Sequence, residues 1–247
     1  MKKYLFLTAA VLLFSCSKHN DDNSKGPGYS TERAVGASAH DLLSADPYAS
    51  LEIQLLYAEG YAPDAAALDQ LKSFLQTLCN KPGGVEIVTA QIPAASQPVI
   101  GIDDINALEK KYRTIFTTDS SLGVFALYAG SDYTDSNVLG IAYKNTSLCL
   151  FGKTIADHSG GLGQASRTKL TATIMEHEFG HLLGLVGNGS PMQTPHEDSD
   201  HAHHCNDEHC LMYYATETTD VLGFLISGNV PQLDAHCRED LQANGGK

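Results

Sequence analysis

Residues 166–186 read SRTKLTATIMEHEFGHLLGLV. Apolar side chains recur in this stretch at the spacing of one helical face, as at Leu170, Ile174 and Phe179, and this periodicity is typical of a helix that packs on a core. After Gly187 the composition changes to glycine, serine, proline, histidine and aspartate. The pattern therefore predicts a long helix over 166–186, followed by a long irregular segment of the kind that is usually functional or mobile.

The centre of this predicted helix carries the motif His177-Glu178-x-x-His181. Residues four apart lie on the same helical face, so the two imidazoles can converge on one ion. Zinc accepts neutral imidazole nitrogens and prefers tetrahedral coordination. It lowers the pKa of a water that it binds to about 7, and a carboxylate beside the first ligand can then take the proton. The motif thus predicts His177 and His181 as zinc ligands and Glu178 as a general base.

Two further motifs give the chain a resemblance to a known family. With Gly184, the sequence matches the first eight positions of the metzincin signature HExxHxxGxxH, in which the glycine leaves the helix in a left-handed conformation. The third histidine of the signature would fall on position 187, which is Gly187. Residues 204–212, HCNDEHCLM, are similar to the archaemetzincin continuation of a histidine, Cys, four residues, Cys, one residue and Met. The chain therefore resembles an archaemetzincin-like metzincin with an insertion before the third ligand.

This resemblance implies a zinc metallopeptidase with one catalytic Zn²⁺ that hydrolyses a peptide or protein substrate. It makes His204 the third ligand, and it makes Met212 the methionine that fills the floor below the histidines without binding the metal. Tyr214 lies at the offset where some metzincins place a tyrosine that stabilises the oxyanion. The resemblance also implies that the strand before the active helix, at 138–143, pairs with extended substrates. Other histidines stay open as the third ligand, the nearer ones first: His201, His203, His196 and His209.

The cysteines decide whether the chain can hold a second, structural zinc ion. Archaemetzincins hold a structural zinc with the counterparts of Cys205 and Cys210 and with further downstream cysteines, but here only Cys237 follows. Four thiolates are thus not available locally for a closed site. Because the chain also carries an export signal, we expect a Cys205–Cys210 disulfide instead. The sequence leaves the pairing of the remaining cysteines open.

Two other functions compete with this interpretation. In a gluzincin, a downstream glutamate such as Glu208 or Glu217 would be the third ligand, although Gly184 and Met212 argue against it. A surface lipoprotein that binds zinc or a partner without catalysis is the second alternative, since histidine-rich tracts bind metals on composition alone. The intact Glu178 argues against that alternative.

The first residues predict a targeting signal. Two lysines precede an apolar stretch at 4–14, which ends in Leu-Phe-Ser before Cys16. Such a segment is typical of a secretory signal, and its end resembles a bacterial lipobox with Cys16 as the lipidated residue. The sequence thus predicts a lipoprotein signal peptide over 1–16, a flexible tether over 17–38, and an exported, outer-membrane lipoprotein on the periplasmic or cell-surface face.

Composition and periodicity indicate the fold class. The 247 residues are 43 % hydrophobic, which supports a core, and the net charge of −13 without a later basic run argues against nucleic acid as a partner. We predict an α/β (α+β) domain over 39–247, with a metzincin-like mixed twisted sheet and the active-site helix in a subdomain that ends near 187. A mainly irregular and helical subdomain follows at 188–247. The predicted helices are 65–78, 103–116, 218–226 and 231–243, and the predicted strands are 85–89, 122–128, 138–143 and 148–151.

Overall fold

The computed structural model describes residues 28–219, 225 and 230–247. Its strands are β1 (Ser50–Ala58), β2 (Gly84–Ile92), β3 (Val99–Ile100), β4 (Ser121–Ala129), β5 (Asp132–Tyr133), β6 (Gly140–Lys144) and β7 (Ser147–Phe151). Its helices are α1 (Ala39–Leu43), α2 (Ala65–Leu78), α3 (Ile102–Tyr112), α4 (Gly152–Asp157), α5 (Arg167–Leu182) and α6 (Ala235–Ala243), with a 3₁₀-helix at Tyr214–Glu217. No helix in these described ranges is long and apolar enough to span a bilayer.

The main sheet has five strands in the order β2-β1-β4-β7-β6. The first four are parallel to their neighbours, and β6 is antiparallel to β7. The predicted mixed α/β sheet is therefore confirmed. Because β6 is the last strand of the order, none of the described strands pairs with its outer side, where an extended segment could add.

The sequence analysis missed β1, although this strand lies between β2 and β4. Six of its nine residues are buried, including Leu51, Ile53 and Leu55. A parallel strand that is covered on both faces carries a nearly continuous apolar run, and such a run lacks the alternation that marks a half-exposed strand. Its neighbours were placed within a few residues of their observed bounds.

Helix α5 lies at the centre of the domain. Ser166 caps it, accepting a hydrogen bond from the backbone N–H of Lys169 at 3.2 Å. All thirteen residues from Leu170 to Leu182 are buried, polar ones included. The helix contacts α2, β6, β7 and the 3₁₀-helix. A helix that is enclosed on all sides holds its side chains in fixed positions, which suits a site that needs rigid ligands.

Residues just before α1, which the sequence analysis assigned to the flexible tether, pack on the domain. The hydroxyl of Tyr29 donates to Ser38 at 2.6 Å, and the Ser38 side chain also accepts from Asn145 at 2.7 Å. Ser38 is 1 % exposed. The folded part therefore begins before the predicted boundary at Ala39. The predicted signal peptide, Cys16 and most of the predicted helix at 218–226 lie outside the described residues.

A buried ion pair ties the end of α3 to the sheet. The Arg113 guanidinium lies 2.7 Å from Glu109 Oε1, and the two side chains are 2 % and 5 % exposed. Glu109 also accepts a hydrogen bond from Ser147 at 2.7 Å. Burial alone would raise the pKa of Glu109, but the Ser147 hydrogen bond and the Arg113 charge together lower it below its ordinary value. The ion pair thus holds α3 against β4 and β7.

We expect Glu109→Ala to lower the free energy of unfolding by about 3–5 kcal/mol, because it leaves the Arg113 charge buried without its partner. Since the pKa of Glu109 is lowered in the folded state, its contribution is present above the unfolded pKa of about 4.3 and disappears as the pH falls through the folded pKa. Urea unfolding at pH 7 and at low pH measures both effects.

The matched control is Glu86→Ala, which removes an ion pair with Lys72 whose side chains are 68 % and 37 % exposed. Exposed pairs contribute about 0–1 kcal/mol. If the two variants lose the same stability at pH 7, the buried pair does not have the role assigned to it.

Candidate active site

Gly184 ends the active-site helix and turns the chain back toward it. Its φ angle is +77°, and its N–H donates to the carbonyl of His181 at 3.0 Å. A Cβ at this position would lie 2.5 Å from the backbone nitrogen of Ser190. Both the left-handed conformation and the close approach therefore require glycine. The turn ends α5 at Leu182, four residues before the predicted end at 186.

Three imidazoles meet below this turn. His177 and His181 lie one turn apart on α5, and their Nε2 atoms are 3.1 Å from each other. The ring of His204, from the loop that follows the insertion, lies with its centroid 5.4 Å from that of His177 and 5.0 Å from that of His181. The structure thus brings together the three residues that the sequence analysis chose as ligands.

Backbone carbonyls orient two of these rings. His177 Nδ1 lies 2.7 Å from the carbonyl oxygen of Leu211, and His204 Nδ1 lies 3.0 Å from that of Ala202. A carbonyl only accepts, so each Nδ1 carries the proton and each Nε2 keeps a lone pair. His204 Nε2 is buried without a hydrogen-bond partner. Burial also lowers the pKa of His181 to about 4. Imidazoles whose Nε2 atoms converge in this way fit a zinc ion, which binds imidazole nitrogens.

The other histidines of the insertion have different partners. His201 bonds to Asp198 at 2.8 Å and stacks on Tyr214, and His203 pairs with Glu197 at 3.9 Å. His196 lies 3.6 Å from the sulfur of Cys237, and His209 is largely exposed. These contacts direct the four side chains to other neighbours than the imidazole cluster.

Glu217 joins the cluster as a fourth donor. Its carboxylate oxygens lie 3.6 Å from His177 Nε2, 3.7 Å from His181 Nε2 and 3.6 Å from His204 Nε2. All four ligand atoms lie within 4.8 Å of one another. Burial alone would raise the pKa of Glu217, but the three surrounding imidazoles lower it well below its ordinary value. The sequence analysis considered Glu217 only in place of a third histidine, whereas the structure places it beside all three.

Glu178 is enclosed next to this cluster. Its side chain is fully buried, and neither carboxylate oxygen has a hydrogen-bond partner. Burial, and then the negative charge of Glu217, raise the pKa of Glu178 well above its ordinary value. Edge strand β6 passes directly over it, since a Cβ on Gly140 would lie 2.8 Å from Glu178 Oε1. Glu178 thus has an unused carboxylate at the point where the edge of the sheet meets the active helix.

Met212 forms the floor below the helix. The side chain is fully buried, and a Cβ on Gly180 would overlap its sulfur and lie 3.1 Å from its methyl carbon. The preceding residue, Leu211, supplies the carbonyl that orients His177. The segment that contains Met212 therefore supports the site both by packing and by orienting a ligand.

Tyr214 begins the 3₁₀-helix. Its ring stacks on the imidazole of His201, with the centroids 3.6 Å apart and the planes 4° from parallel. Glu217, at the other end of the same 3₁₀-helix, is the residue that contacts the three histidines. A role for Tyr214 in stabilising an oxyanion stays a prediction.

Comparisons with known proteins point in the same direction as this geometry. No family model matches the chain, and no curated protein does. Among solved structures, archaemetzincin from Methanopyrus kandleri matches with a TM-score of 0.54 and 14 % sequence identity, over 79 % of this chain and 96 % of that one. The chain has an archaemetzincin-like fold. At this identity, the similarity establishes the fold and leaves the chemistry to the residues of the site.

A second cluster lies beside the first. It consists of three thiols and one carboxylate, whose ligand atoms lie within 4.8 Å of one another: Cys205, Cys210, Asp234 and Cys237. The backbone N–H groups of Met212 and Asp234 both donate to the sulfur of Cys210 at 3.4 Å. Hydrogen bonds from the thiols of Cys205 and Cys237 lower the pKa of Cys210 to about 4. Four hydrogen-bond donors thus surround the sulfur of Cys210.

The predicted Cys205–Cys210 disulfide is not formed in the structure, where all five described cysteines are free. Cys237, at the start of α6, and its cap residue Asp234 come to the same place as these two cysteines. The sequence analysis looked for four thiolates and did not consider Asp234 as the fourth donor. Three thiolates and a carboxylate are suitable zinc ligands.

The contact between Gly180 and Met212 can be tested by a double-mutant cycle. We expect Gly180→Ala to cost about 1–3 kcal/mol, because the added methyl group enters the space of the Met212 sulfur. In a Met212→Ala background the same change should cost less, since the overlap is gone and alanine favours the helix by about 1 kcal/mol. Urea unfolding of the four proteins in the presence of a chelator measures the coupling.

A coupling of about 0.5–3 kcal/mol is expected for residues in contact. Strictly additive effects would show that Met212 does not support α5 at Gly180.

Proposed function

We propose that this protein is a zinc-dependent peptidase in which His177, His181 and His204 hold the metal and Glu178 is the general base. The observation that carries the proposal is the convergence of three imidazoles beside a buried carboxylate whose oxygens have no hydrogen-bond partner. The archaemetzincin-like fold supports it. The rigid helix supplies two of the three ligands and the base.

Each residue has a distinct part in this proposal. The carbonyls of Leu211 and Ala202 hold the rings of His177 and His204 with their lone pairs inward. Zinc, when bound, would polarise the scissile carbonyl and the attacking water. Glu178 takes a proton from water and returns it to the leaving amine.

Edge strand β6 is the proposed binding surface for substrate. It lies at the end of the sheet and crosses the active helix at Glu178. An extended peptide can add to such an edge through main-chain hydrogen bonds, which bind any sequence and leave specificity to side-chain pockets. This arrangement would place a peptide bond of the substrate near the imidazole cluster.

Glu178→Gln tests the proposed base. We expect the variant to retain its metal and to lose peptide hydrolysis by about 10²–10⁴-fold, because the amide cannot take the proton. Metal content and the turnover of a mixed peptide library, with and without a chelator, are the measurements. The matched control is Glu176→Gln, which makes the same change two residues earlier at another buried position of α5.

The control should remain as active as the parent. Full activity of Glu178→Gln, or equal loss in both variants, would contradict the assignment of the base.

The cysteine cluster is proposed as a structural zinc site. Its three thiols and Asp234 join the loop of Met212 to α6, and the archaemetzincins that the chain resembles hold a structural zinc at this position of the motif. The protein would then bind two ions, one catalytic and one structural. The second ion would stabilise the segment that orients His177 and supports Gly180.

Metal stoichiometry tests this division. We expect two zinc ions in the parent, one in Cys237→Ser and one in His204→Ala, because each variant removes a ligand from only one site. Cys79→Ser is the control for loss of a buried thiol elsewhere and should keep two. One ion in the parent, together with a disulfide found by mass spectrometry, would instead support the Cys205–Cys210 bond.

One observation favours a non-catalytic zinc protein as the alternative. Glu217 gives the cluster four protein donors, and closed four-ligand sites are typical of structural zinc, whereas catalytic sites keep one position open. In that case the parent would bind zinc at the histidines and cleave no peptide. Glu208, the other glutamate considered as a ligand, is 64 % exposed and pairs with His209.

The cellular location is also a proposal. The apolar stretch before Cys16 and the lipobox-like end support export and a lipid anchor on the membrane. Labelling with a radioactive fatty acid, in the parent and in Cys16→Ser, would test that anchor.

A further inference from the structure

The segment that carries Glu217 is paired with the chain just before the edge strand. The backbone N–H of Leu139 donates to the carbonyl of Glu217 at 2.8 Å, and the N–H of Thr219 donates to that of Asn137 at 2.9 Å. Between them, Thr218 and Val138 form an antiparallel bridge. Residues 217–219 therefore occupy main-chain groups that lead into β6, beside the active helix.

The spacing of the four donors matches a single shared ion. Donor atoms of a tetrahedral zinc site with bonds of about 2.0–2.2 Å lie about 3.3–3.6 Å apart. Oε2 of Glu217 lies 3.6 Å from Nε2 of His177 and 3.7 Å from that of His181, and its Oε1 lies 3.6 Å from Nε2 of His204. The Nε2 atoms of His177 and His181 are 3.1 Å apart. These distances are long for hydrogen bonds but close to those between ligands of one metal. Glu217 thus stands where a fourth ligand would stand.

Glu217 is held less firmly than the histidines are. His177 and His181 belong to the fully buried part of α5. The Glu217 side chain is 27 % exposed and extends from a single 3₁₀ turn of four residues. Main-chain bonds to residues 137–139 attach its segment to the chain before β6. An extended peptide that added to this edge would need the same groups, so peptide and segment compete for them.

We propose that Glu217 is a displaceable fourth metal ligand, which closes the site at rest and leaves when an extended peptide replaces residues 217–219 on the edge at 137–139. This inference rests on the proposed function, because it describes how the same metal site is regulated. The substrate that opens the site is one that can pair as a strand. A small molecule without a main chain must compete with the carboxylate directly.

The experiment uses acetohydroxamate, a small zinc chelator that needs open coordination positions, and the zinc-loaded full chain. Titration calorimetry measures its affinity for the parent, Glu217→Ala, Glu217→Gln and the control Glu208→Ala. We expect both Glu217 variants to bind it about 10-fold more tightly or better, since a closed form in nine molecules of ten lowers the apparent affinity by that factor. The control should bind as the parent does.

The two Glu217 variants distinguish a carboxylate that binds the metal from a side chain that only occupies space. Glutamine keeps the size of the side chain and removes its negative charge, so tighter binding in the alanine variant alone would show that Glu217 only fills space. Unchanged affinity in both variants would overturn the proposal, and so would failure of both folded variants to retain zinc at the histidines, since Glu217 would then be a permanent ligand.

These readouts do not depend on peptide turnover. If affinity rises in both variants while the parent and all variants leave every peptide intact, the peptidase proposal fails and the displaceable ligand stands. If peptides are cleaved and the affinities do not change, the reverse holds.

Discussion

The site depends on the complete burial of one helix. Helix α5 is enclosed by α2, the sheet and the C-terminal segment, and two imidazoles and a carboxylate are buried with its apolar residues. Burying polar groups costs free energy unless they find partners. His177 finds the Leu211 carbonyl, whereas the carboxylate of Glu178 and Nε2 of His204 find none within the described chain. Unpaired polar groups in a core require an explanation, and a cation bound at the imidazole cluster would supply one for these two residues.

The segment at 204–217 combines several functions in few residues. It contributes His204, the carbonyl that orients His177, the methionine below Gly180 and Glu217. The cysteine cluster fixes the same segment to α6 through Cys237. A change in the cysteine cluster would therefore also affect the imidazole cluster, because the contacts that support His177 come from the same loop.

Charge is concentrated at the centre of the molecule. Glu178 and Glu217 both lie at the imidazole cluster, and each raises the cost of ionising the other. A bound cation would relieve this repulsion, since a divalent ion is the largest charge in such a site. The acidic pair therefore favours a cation over an anionic ligand. The chain as a whole is also negative, with a net charge of −13.

The sequence by itself determined the long helix and the common face of His177 and His181, because residues four apart on a helix share a face whatever surrounds them. It also predicted the turn at Gly184, because a left-handed backbone conformation at the end of a helix favours glycine. The strands with clear local patterns were predicted for the same reason. These features depend on interactions between residues that are close in the chain.

Only the tertiary structure decided the rest. The two buried faces of β1 hide the pattern of a strand, so its place in the sheet had to come from its neighbours. Asp234 and Cys237 lie beside Cys205, and Glu217 lies beside the three histidines. Loops connect these residues, and the length of a loop does not predict which residues it brings into contact. Such contacts form because packing brings distant segments together, and no local periodicity records them.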